Sequence, residues 1–315
     1  MTTLVTGGAG FIGSHLSEKL LKEGYKVICL DNFTNNYDPA IKKDNIKKAL
    51  QSDNYTLIKG DILDKEKLEE VFEKYEINKI VHLAALAGVR TSLKNPQEYI
   101  DVDIKGTVNL LEKAQQHNIE NFVFASSSSV YGDNKKTPFK ETHNTNNQVS
   151  PYAAAKKCAE IYCHTYHKLY NIPISVLRFF TVYGPRQRPE MAIHKFTRRI
   201  MNNESVPMFG DGSSERDYTY ISDIVNGILL SLKNPSPFEI FNLGNSKKIK
   251  LKNLIKLIEE KTNKKANIKK LPFQKGDVSV TYADISKSKK ILGYEPKVSI
   301  EEGIEKFIDW YKKKF

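Results

Sequence analysis

The chain has 315 residues, 40% of them apolar and 27% charged, and a formal net charge of +12. This composition excludes a disordered or fibrous protein, and the length is sufficient for a large core that we expect to form two lobes around a cleft. The lysines occur in many short clusters mixed with acids, so we interpret them as solvated helix faces that help to attract an anionic substrate, not as a nucleic-acid site.

The first half of the chain alternates short apolar runs with helical patterns, which is typical of a parallel sheet with crossover helices. A first strand, TTLVT, leads through glycines into a helix expected at about residues 11–23. Further strands are predicted at KVICLD, YTLIKGD, KIVHLAA, NFVFASS and PISVLRF. The predicted fold is α/β, with a Rossmann-type doubly wound parallel sheet in residues 1–178 and a return segment near 216–243.

Beyond residue 178 this alternation is replaced by loops rich in Pro, Gly and Arg. We expect helices near residues 191–203 and 251–262, and a final amphipathic helix from Ile300. We interpret residues 179–315 as mainly a smaller C-terminal α/β lobe that binds the substrate.

The first strand and the first helix are joined by a G-x-x-G-x-x-G motif, formed by Gly7, Gly10 and Gly13. Glycine permits a tight turn and close approach of the backbone to a pyrophosphate, whose charge the helix N-terminus stabilises. Asp31 ends the second strand at the separation expected for a carboxylate that binds an adenosine ribose hydroxyl. The pattern predicts a dinucleotide site that prefers NAD to NADP. Asp61, which ends the third strand, either binds adenine or caps the next helix.

A tyrosine and a lysine four residues apart, Tyr152 and Lys156, follow a serine run that contains Ser127. That spacing places both side chains on one face of a helix. A phenol has a reference pKa of about 10, so it needs a neighbouring positive charge to act as a base near neutral pH. Together with the glycine motif, the pair predicts an enzyme in which Tyr152 moves a proton beside a nicotinamide cofactor.

The spacing of these residues resembles the extended short-chain dehydrogenase/reductase superfamily, specifically its NAD-dependent nucleotide-sugar epimerases and dehydratases. Blocks along essentially the whole chain, including DNFTNNYDPAIKK, ASSSSVYG, PYAAAKK and RFFTVYGPRQRPEMA, resemble those of UDP-glucuronate 4-epimerases. The resemblance implies that NAD is the cofactor and a UDP-sugar the substrate. The cofactor-binding residues that it implies are Gly7, Gly10, Phe11, Ile12, Gly13, Asp31, Asn32, Asp61, Ile62, Ala84, Tyr152 and Lys156.

The same resemblance assigns the catalytic roles to Ser127, Tyr152 and Lys156. Tyr152 would take the proton of the sugar C4 hydroxyl while hydride leaves C4 for NAD+. Lys156 would also bind the nicotinamide ribose, and Ser127 would hydrogen-bond the same hydroxyl over about 3 Å. The 4-keto sugar would then turn its other face to the cofactor and be reduced with inverted configuration. No net redox change would occur.

The sequence favours UDP-glucuronate and UDP-galacturonate as the two sugars. Ser128 and Ser129 stand where 4,6-dehydratases have an Asp-Glu pair, which disfavours dehydration. The resemblance places Thr181 and Arg188 on the sugar carboxylate, for which a guanidinium offers a planar fork. A carboxylate held out of line with the C4 carbonyl would resist loss of CO2. The alternative is a UDP-glucose or UDP-N-acetylglucosamine 4-epimerase, which generally has Asn in place of Thr181.

The resemblance completes the substrate site with an arginine and an aspartate. Arg216 resembles the pyrophosphate-binding arginine of the family, and Asp277 either lies near the UDP ribose or serves as a loop or cap residue. The substrate-binding set is Ser127, Ser128, Ser129, Thr181, Arg188, Arg216 and Asp277. Arg186 either binds phosphate or braces a loop, and the role of Arg90 stays open.

The remaining expectations concern compartment and assembly. The sequence shows no evident signal peptide and no segment of membrane-spanning length. Cys29, Cys158 and Cys163 are an odd set without metal-type spacing, so we expect neither disulfides nor a metal site. We therefore predict a cytoplasmic enzyme without a membrane or nucleic-acid partner. In the family, helices corresponding to about residues 96–118 and 150–170 pair across a dimer interface, which implies a homodimer.

Overall fold

The structure is a computed structural model that describes residues 1–273, 276 and 278–315. Its strands are β1 Thr2–Thr6, β2 Lys26–Asp31, β3 Tyr55–Lys59, β4 Lys79–His82, β5 Asn121–Ser127, β6 Ile174–Phe179, β7 Thr181–Tyr183, β8 Ser205–Phe209, β9 Glu215–Tyr220, β10 Phe238–Leu243, β11 Lys248–Lys250 and β12 Asn267–Leu271. The predicted strands of the first half are all present.

The helices alternate with the strands in the first half of the chain. They are α1 Phe11–Lys22, α2 Pro39–Asn45, α3 Lys65–Lys74, α4 Val89–Ser92, α5 Pro96–Tyr99, α6 Gly106–Gln116, α7 Pro151–Tyr170, α8 Ala192–Met201, α9 Ile221–Lys233, α10 Leu251–Thr262, α11 Ser286–Leu292 and α12 Ile300–Lys314. A π-helical segment, Ile100–Lys105, joins α5 to α6, and short 3-10 turns occupy Ala49–Gln51 and Ser128–Tyr131.

The central sheet is parallel throughout, and helices cover both of its faces. Its seven strands lie in the order β10-β6-β5-β4-β1-β2-β3. Because successive strand residues point to opposite faces, Val5 and Val81 pack on the side of α1 and α9, whereas Leu4 and Ile80 pack on the side of α3, α6 and α7. The structure confirms the predicted Rossmann-type α/β fold.

The strand order reverses between β1 and β4, at the centre of this sheet. From β1 the sheet continues through β2 and β3, and from β4 it continues in the other direction through β5, β6 and β10. Loops that leave the carboxyl ends of β1 and β4 therefore diverge and open a crevice, which is where ligands of doubly wound sheets bind.

The other strands form two small sheets. β11, β9 and β7 make a mixed three-stranded sheet, and β12 pairs with β8 in parallel. Helix α10 has the predicted bounds and α12 begins at Ile300 as expected, whereas α8 is shorter than predicted because Met191 and Asn202 cap it. Between β9 and β11 of the mixed sheet, the chain passes through α9 and β10, and β10 forms one edge of the central sheet. The division near residue 178 into a cofactor lobe and a substrate lobe stays a prediction.

The described residues show none of the patterns of membrane spans, metal sites and disulfides. None of their helices is long and apolar enough to cross a membrane. No group of three His, Cys, Asp or Glu side chains in this part of the chain is arranged to hold a metal ion. Cys29, Cys158 and Cys163 are free thiols.

Candidate active site

A cavity of about 390 Å³ lies at the switch point of the central sheet. It extends from the glycine loop after β1 to the serine run after β5 and the loop before α8. The predicted cofactor residues that line it are Gly7, Gly10, Phe11, Ile12, Gly13, Asp31, Asn32, Ile62, Ala84, Tyr152 and Lys156. The predicted substrate residues that line it are Ser127, Ser128, Ser129, Thr181 and Arg188. Most of the predicted site residues therefore meet in one cavity.

The glycine loop brings backbone close to backbone at the start of α1. Gly7 has a φ of +66°, and a Cβ there would lie 2.8 Å from the amide nitrogen of Ala84. A Cβ on Gly13 would lie 2.3 Å from the carbonyl oxygen of Gly7. Neither position has room for a side chain, and Gly10, Phe11 and Ile12 line the cavity, so the N-terminus of α1 faces it. No acid occupies the first turn of α1, so its positive end is available to a phosphate.

Asp31 is a buried carboxylate at the end of β2 whose two oxygens are held by three donors. Its Oδ2 accepts from the Ala9 amide at 3.1 Å, and its Oδ1 accepts from the Phe33 amide at 2.8 Å and from Lys42 Nζ at 3.2 Å. Lys42 also lines the cavity and is itself buried. This ion pair fixes the orientation of Asp31, and the three donors leave about one lone pair, on Oδ2, for a ribose hydroxyl.

Asp61 lies behind the cavity wall, outside the residues that line the cavity. Its Oδ2 accepts from Asn32 Nδ2 at 2.8 Å and its Oδ1 accepts from the Leu63 amide at 2.9 Å. The cap of α3 is Asp64, whose side chain accepts from the Lys67 amide. Asp61 is thus placed to orient Asn32, a role that neither sequence-based alternative included.

The serine run and the start of α7 form the catalytic end of the cavity. Ser150 caps α7 by accepting from the Ala153 amide, which sets Tyr152 and Lys156 one turn apart on the face toward the cavity. Lys156 is buried, and its Nζ donates to the carbonyl oxygen of Ala125 at 3.1 Å. The ammonium is therefore held beside the end of β5.

Two further contacts orient the catalytic side chains. The ring of Tyr152 meets that of Tyr99 edge to face, with centroids 6.1 Å apart, and the Tyr99 hydroxyl donates to the carbonyl oxygen of Gly88. Ser127 Oγ donates to Ser129 Oγ at 3.1 Å and accepts from the Ser129 amide. The serine hydroxyls thus form a short polar wall, and Asp31 is the one carboxylate among the described residues that line the cavity.

Arg188 reaches the cavity from a loop that is fixed to α1. Within this loop, Arg186 NH2 donates to Glu18 Oε1 at 2.5 Å, and His15 Nε2 lies 2.9 Å from the carbonyl oxygen of Pro185. Arg188 NH1 donates to the carbonyl oxygen of Ala87 at 3.2 Å. Of the two alternatives for Arg186, these contacts favour the loop brace.

Three predicted or open residues lie elsewhere. Arg216 does not line the cavity, and its NH1 donates to the carbonyl oxygens of Glu215 and Ser279. The guanidinium of Arg90 lies over the ring of Phe209, 4.7 Å from its centroid. Asp277 falls outside the described residues.

Sequence reasoning missed several residues of the cavity wall, among them Lys42, Tyr37 and Met191. Lys42 and Tyr37 follow β2 in an irregular loop and a short helix, where no periodic pattern indicates which side chain turns inward. The one available signal was their position within the block DNFTNNYDPAIKK, directly after Asp31.

Comparisons with known proteins identify a family and several relatives of this chain. The family model described as GDP-mannose 4,6 dehydratase matches residues 4–307. A UDP-glucuronate 4-epimerase of Thermodesulfobacterium geofontis is 46% identical over 310 residues, which are 98% of this chain and 95% of that protein.

Two solved structures have nearly the same fold as this chain. The UDP-glucuronic acid 4-epimerase of Bacillus cereus, in complex with UDP-glucuronic acid and NAD, has a TM-score of 0.94 and 38% identity, with 100% of both chains covered. The UDP-glucose 4-epimerase of Thermotoga maritima, with UDP-glucose, has a TM-score of 0.93 and 36% identity, with 99% of both chains covered. The predicted resemblance is confirmed: the chain belongs to the GDP-mannose 4,6 dehydratase family, among the extended short-chain dehydrogenases/reductases.

Proposed function

We propose that this protein is a UDP-glucuronate 4-epimerase, which interconverts UDP-glucuronate and UDP-galacturonate with tightly bound NAD. The observation that carries the proposal is that Arg188 and Thr181 line the same cavity as Ser127, Tyr152 and Lys156. An arginine in the same cavity as a proton-transfer group suits a sugar that carries a carboxylate, because the guanidinium binds a carboxylate through paired hydrogen bonds.

The cavity fits a nicotinamide dinucleotide along its length. The glycine loop and the α1 N-terminus would hold the pyrophosphate, Asp31 would bind a ribose hydroxyl, and Lys156, at the opposite end of the lining, would bind the nicotinamide ribose. NAD, when bound, supplies a reversible hydride acceptor for C4 of the sugar. The reaction then needs no outside oxidant.

The protein's own contribution is to move one proton and to hold the sugar. Tyr152 removes the proton of the C4 hydroxyl and later returns it to the same oxygen. The buried Lys156 ammonium lies one helical turn from Tyr152, beside the end of β5, and Ser127 is placed to hydrogen-bond the reacting oxygen. Because the proton returns to its origin, no chain of proton carriers to the solvent is required.

Arg188 also prevents the sugar from losing its carboxylate as CO2. Oxidation at C4 makes the sugar a β-keto acid, which loses CO2 when the bond to the carboxylate aligns with the carbonyl π system. The contact of Arg188 with Ala87 and the brace between Arg186 and Glu18 give the guanidinium a fixed position. A carboxylate bound to it is held out of that alignment.

Two other reactions fit the cavity less well than epimerisation of a carboxylated sugar: dehydration, and epimerisation of a neutral sugar. Dehydration needs an acid and a base beside C5 and C6, whereas Ser128 and Ser129 stand beside Ser127. The second candidate function is a 4-epimerase of neutral UDP-hexoses, which the close structural match to a UDP-glucose 4-epimerase keeps open. Thr181 and Arg188 are the features that favour the carboxylated sugar.

Assembly and compartment complete the proposal. Helix α7 exposes a set of large apolar side chains, which an interface with a second copy would cover: Ile161, Tyr162, Leu169 and Tyr170. We expect a homodimer through this helix. The three free thiols are in keeping with a reducing compartment, for which the cytoplasm is our proposal.

Replacement of Tyr152 tests the catalytic assignment. Tyr152→Phe removes the phenolic hydroxyl and should lower kcat by about 10²–10⁴-fold, the usual contribution of a general acid-base group. Tyr75→Phe is the matched control, because Tyr75 also lies beside a lysine, Lys74, but is outside the cavity. The assignment is wrong if Tyr152→Phe turns over UDP-glucuronate at a rate comparable to Tyr75→Phe.

A further inference from the structure

A buried ion pair lies next to the catalytic cluster and takes no part in the chemistry described above. Glu160, on α7, and Arg178, on β6, have side chains that are 2% and 1% exposed. Arg178 Nε donates to Glu160 Oε1 at 2.9 Å, and its NH2 donates to Oε2 at 2.8 Å. This is a bidentate pair, whose geometry is more specific than that of a single charged contact.

The pair joins the two elements that carry the candidate catalytic residues to β6, the strand that precedes Thr181 in the chain. Glu160 is one helical turn beyond Lys156 and two turns beyond Tyr152 on α7. Ser126, the neighbour of Ser127 on β5, donates from its Oγ to Glu160 Oε1 at 2.6 Å. Arg178 stands on β6, a few residues before Thr181. One carboxylate therefore fixes β5, α7 and β6 relative to one another.

Arg178 is also oriented by contacts with residues other than Glu160. Its guanidinium lies over the ring of Tyr131, 4.9 Å from the centroid. The Tyr131 hydroxyl donates to Asn242 Oδ1 at 2.6 Å, and Arg178 NH1 donates to the carbonyl oxygen of Glu141 at 3.4 Å. Tyr131 ends the 3-10 turn that begins at Ser128, so the network also reaches the rest of the serine run.

Stability alone is a weak explanation for such a pair. Removing two charges from water costs as much as their attraction returns, and apolar residues of similar volume often stabilise a core equally well. Burial opposes ionisation of Glu160, but hydrogen bonds from Arg178 and attraction to it hold the pKa of this carboxyl below its ordinary value. The pair is therefore charged in the folded protein. Beyond what apolar packing offers, it fixes the relative orientation of the elements that it joins.

We infer that Glu160 and Arg178 are positioning residues for the epimerase reaction. Their bidentate contact fixes the position of Ser127 on β5 relative to the Tyr152–Lys156 pair on α7. This inference rests on the proposed function of those three residues. Hydride and proton transfer depend steeply on geometry, and a misplacement of about 1 Å can reduce a rate by about 10²-fold.

The first test replaces both charges at once. Glu160→Leu combined with Arg178→Met removes both buried charges together and leaves, of the charged side chains, only Lys157, 21% exposed, without its contact to Glu160, so we expect a folded protein that retains NAD. We expect kcat with UDP-glucuronate to fall by about 10- to 100-fold, with KM within about threefold of wild type because Thr181 and Arg188 still bind the sugar. A folded double variant with the kcat of the wild type would overturn the inference.

The second test remains decisive if the double variant fails to fold. Arg178→Lys keeps the positive charge but loses the planar fork, so we expect kcat to fall while KM and bound NAD are maintained. With UDP-glucuronate deuterated at C4, the isotope effect on kcat should rise above that of the wild type, because hydride transfer becomes slower than product release. An unchanged kcat and isotope effect would contradict the inference.

A matched control lies at the amino-terminal end of the central strand of the same sheet. Lys79, at the start of β4, is also buried, and its Nζ donates to the carbonyl oxygen of Leu232 at 2.9 Å. Lys79→Met should change stability without changing kcat. If the wild-type protein turns over no UDP-sugar, the proposed function fails. If the wild type is an epimerase and both the double variant and Arg178→Lys match its kcat, only the positioning inference fails.

Discussion

The Nε of Arg188 lies 3.2 Å from Oε1 of Glu190, two residues further along the same loop. An acid therefore already contacts the guanidinium that we assign to the sugar carboxylate, and the two carboxylates compete for it. Exposed ion pairs contribute only about 0.2–1 kcal/mol, so the competition is modest. Glu190→Gln should lower KM for UDP-glucuronate by about two- to fivefold, as measured by steady-state kinetics. A KM that rises would show that Glu190 orients Arg188 for the sugar.

Arg188 itself should decide between the carboxylated and the neutral sugar. Hydrogen bonds to charged groups contribute about 1.5–3 kcal/mol, so Arg188→Met should reduce kcat/KM for UDP-glucuronate by about 10- to 150-fold. Release of CO2 during turnover should also increase, because the carboxylate of the keto sugar is no longer held. The control is Arg199→Met, since Arg199 lies on α8 and donates to the carbonyl oxygen of Ser205. Equal losses in the two variants would refute the role of Arg188.

Gly13 offers a test of the cofactor site. A Cβ there would meet the backbone of Gly7 at 2.3 Å and that of Gly8 at 2.6 Å, and backbone cannot move aside as a flexible side chain does. Gly13→Ala should destabilise the protein by about 1–3 kcal/mol and leave less NAD bound after gel filtration.

Gly24→Ala separates loss of stability from loss of the cofactor. Gly24 has a φ of +80° but nothing within 4 Å of an added Cβ, so the cost of about 1–2 kcal/mol arises from backbone strain alone. This variant should melt at a lower temperature with its NAD content unchanged. Full NAD occupancy in Gly13→Ala would show that the loop does not carry the pyrophosphate.

His82 makes stability depend on pH. Its Nδ1 lies 2.8 Å from Thr6 Oγ1 and its Nε2 lies 3.1 Å from Thr107 Oγ1, and burial, followed by the charge of Lys156, lowers its pKa to about 3. The unfolded chain binds a proton at this residue below about pH 6.5 and the folded protein does not. The stability that His82 contributes is therefore complete above that pH and is lost as the pH falls.

Urea denaturation can isolate this contribution. Between about pH 7.5 and about pH 5, the wild type should lose about 2 kcal/mol of stability relative to His82→Gln. Comparison of the two proteins cancels other groups, such as Asp103 and Asp217, whose pKa values burial raises to about 6. A difference that does not change with pH would mean that His82 has the same pKa in the folded and the unfolded protein.

Local patterns account for what could be predicted from the sequence. The six strands of the first half and the glycine loop are short-range features, and the crevice follows from the parallel order of the strands. Tyr152 and Lys156 share a helix, so their spacing alone indicates a common face. For these residues sequence and structure agree.

Long-range contacts account for what was missed. Arg186 and Glu18 are far apart in the chain, as are Glu160 and Ser126, and nothing in either local sequence indicates the partner. The place of Asp61 behind Asn32 depends on how two loops after neighbouring strands meet. Such pairs become visible only once the sheet order is known.

The central claim is tested most directly by offering the purified protein UDP-glucuronate, UDP-glucose and UDP-N-acetylglucosamine in separate incubations. Product stereochemistry is followed by NMR, and mass and CO2 by mass spectrometry. We predict that UDP-glucuronate alone is converted, to an isomer of equal mass with inverted configuration at C4 and no CO2. Turnover of the neutral sugars instead of UDP-glucuronate, or release of CO2 from it as the main product, would contradict the account.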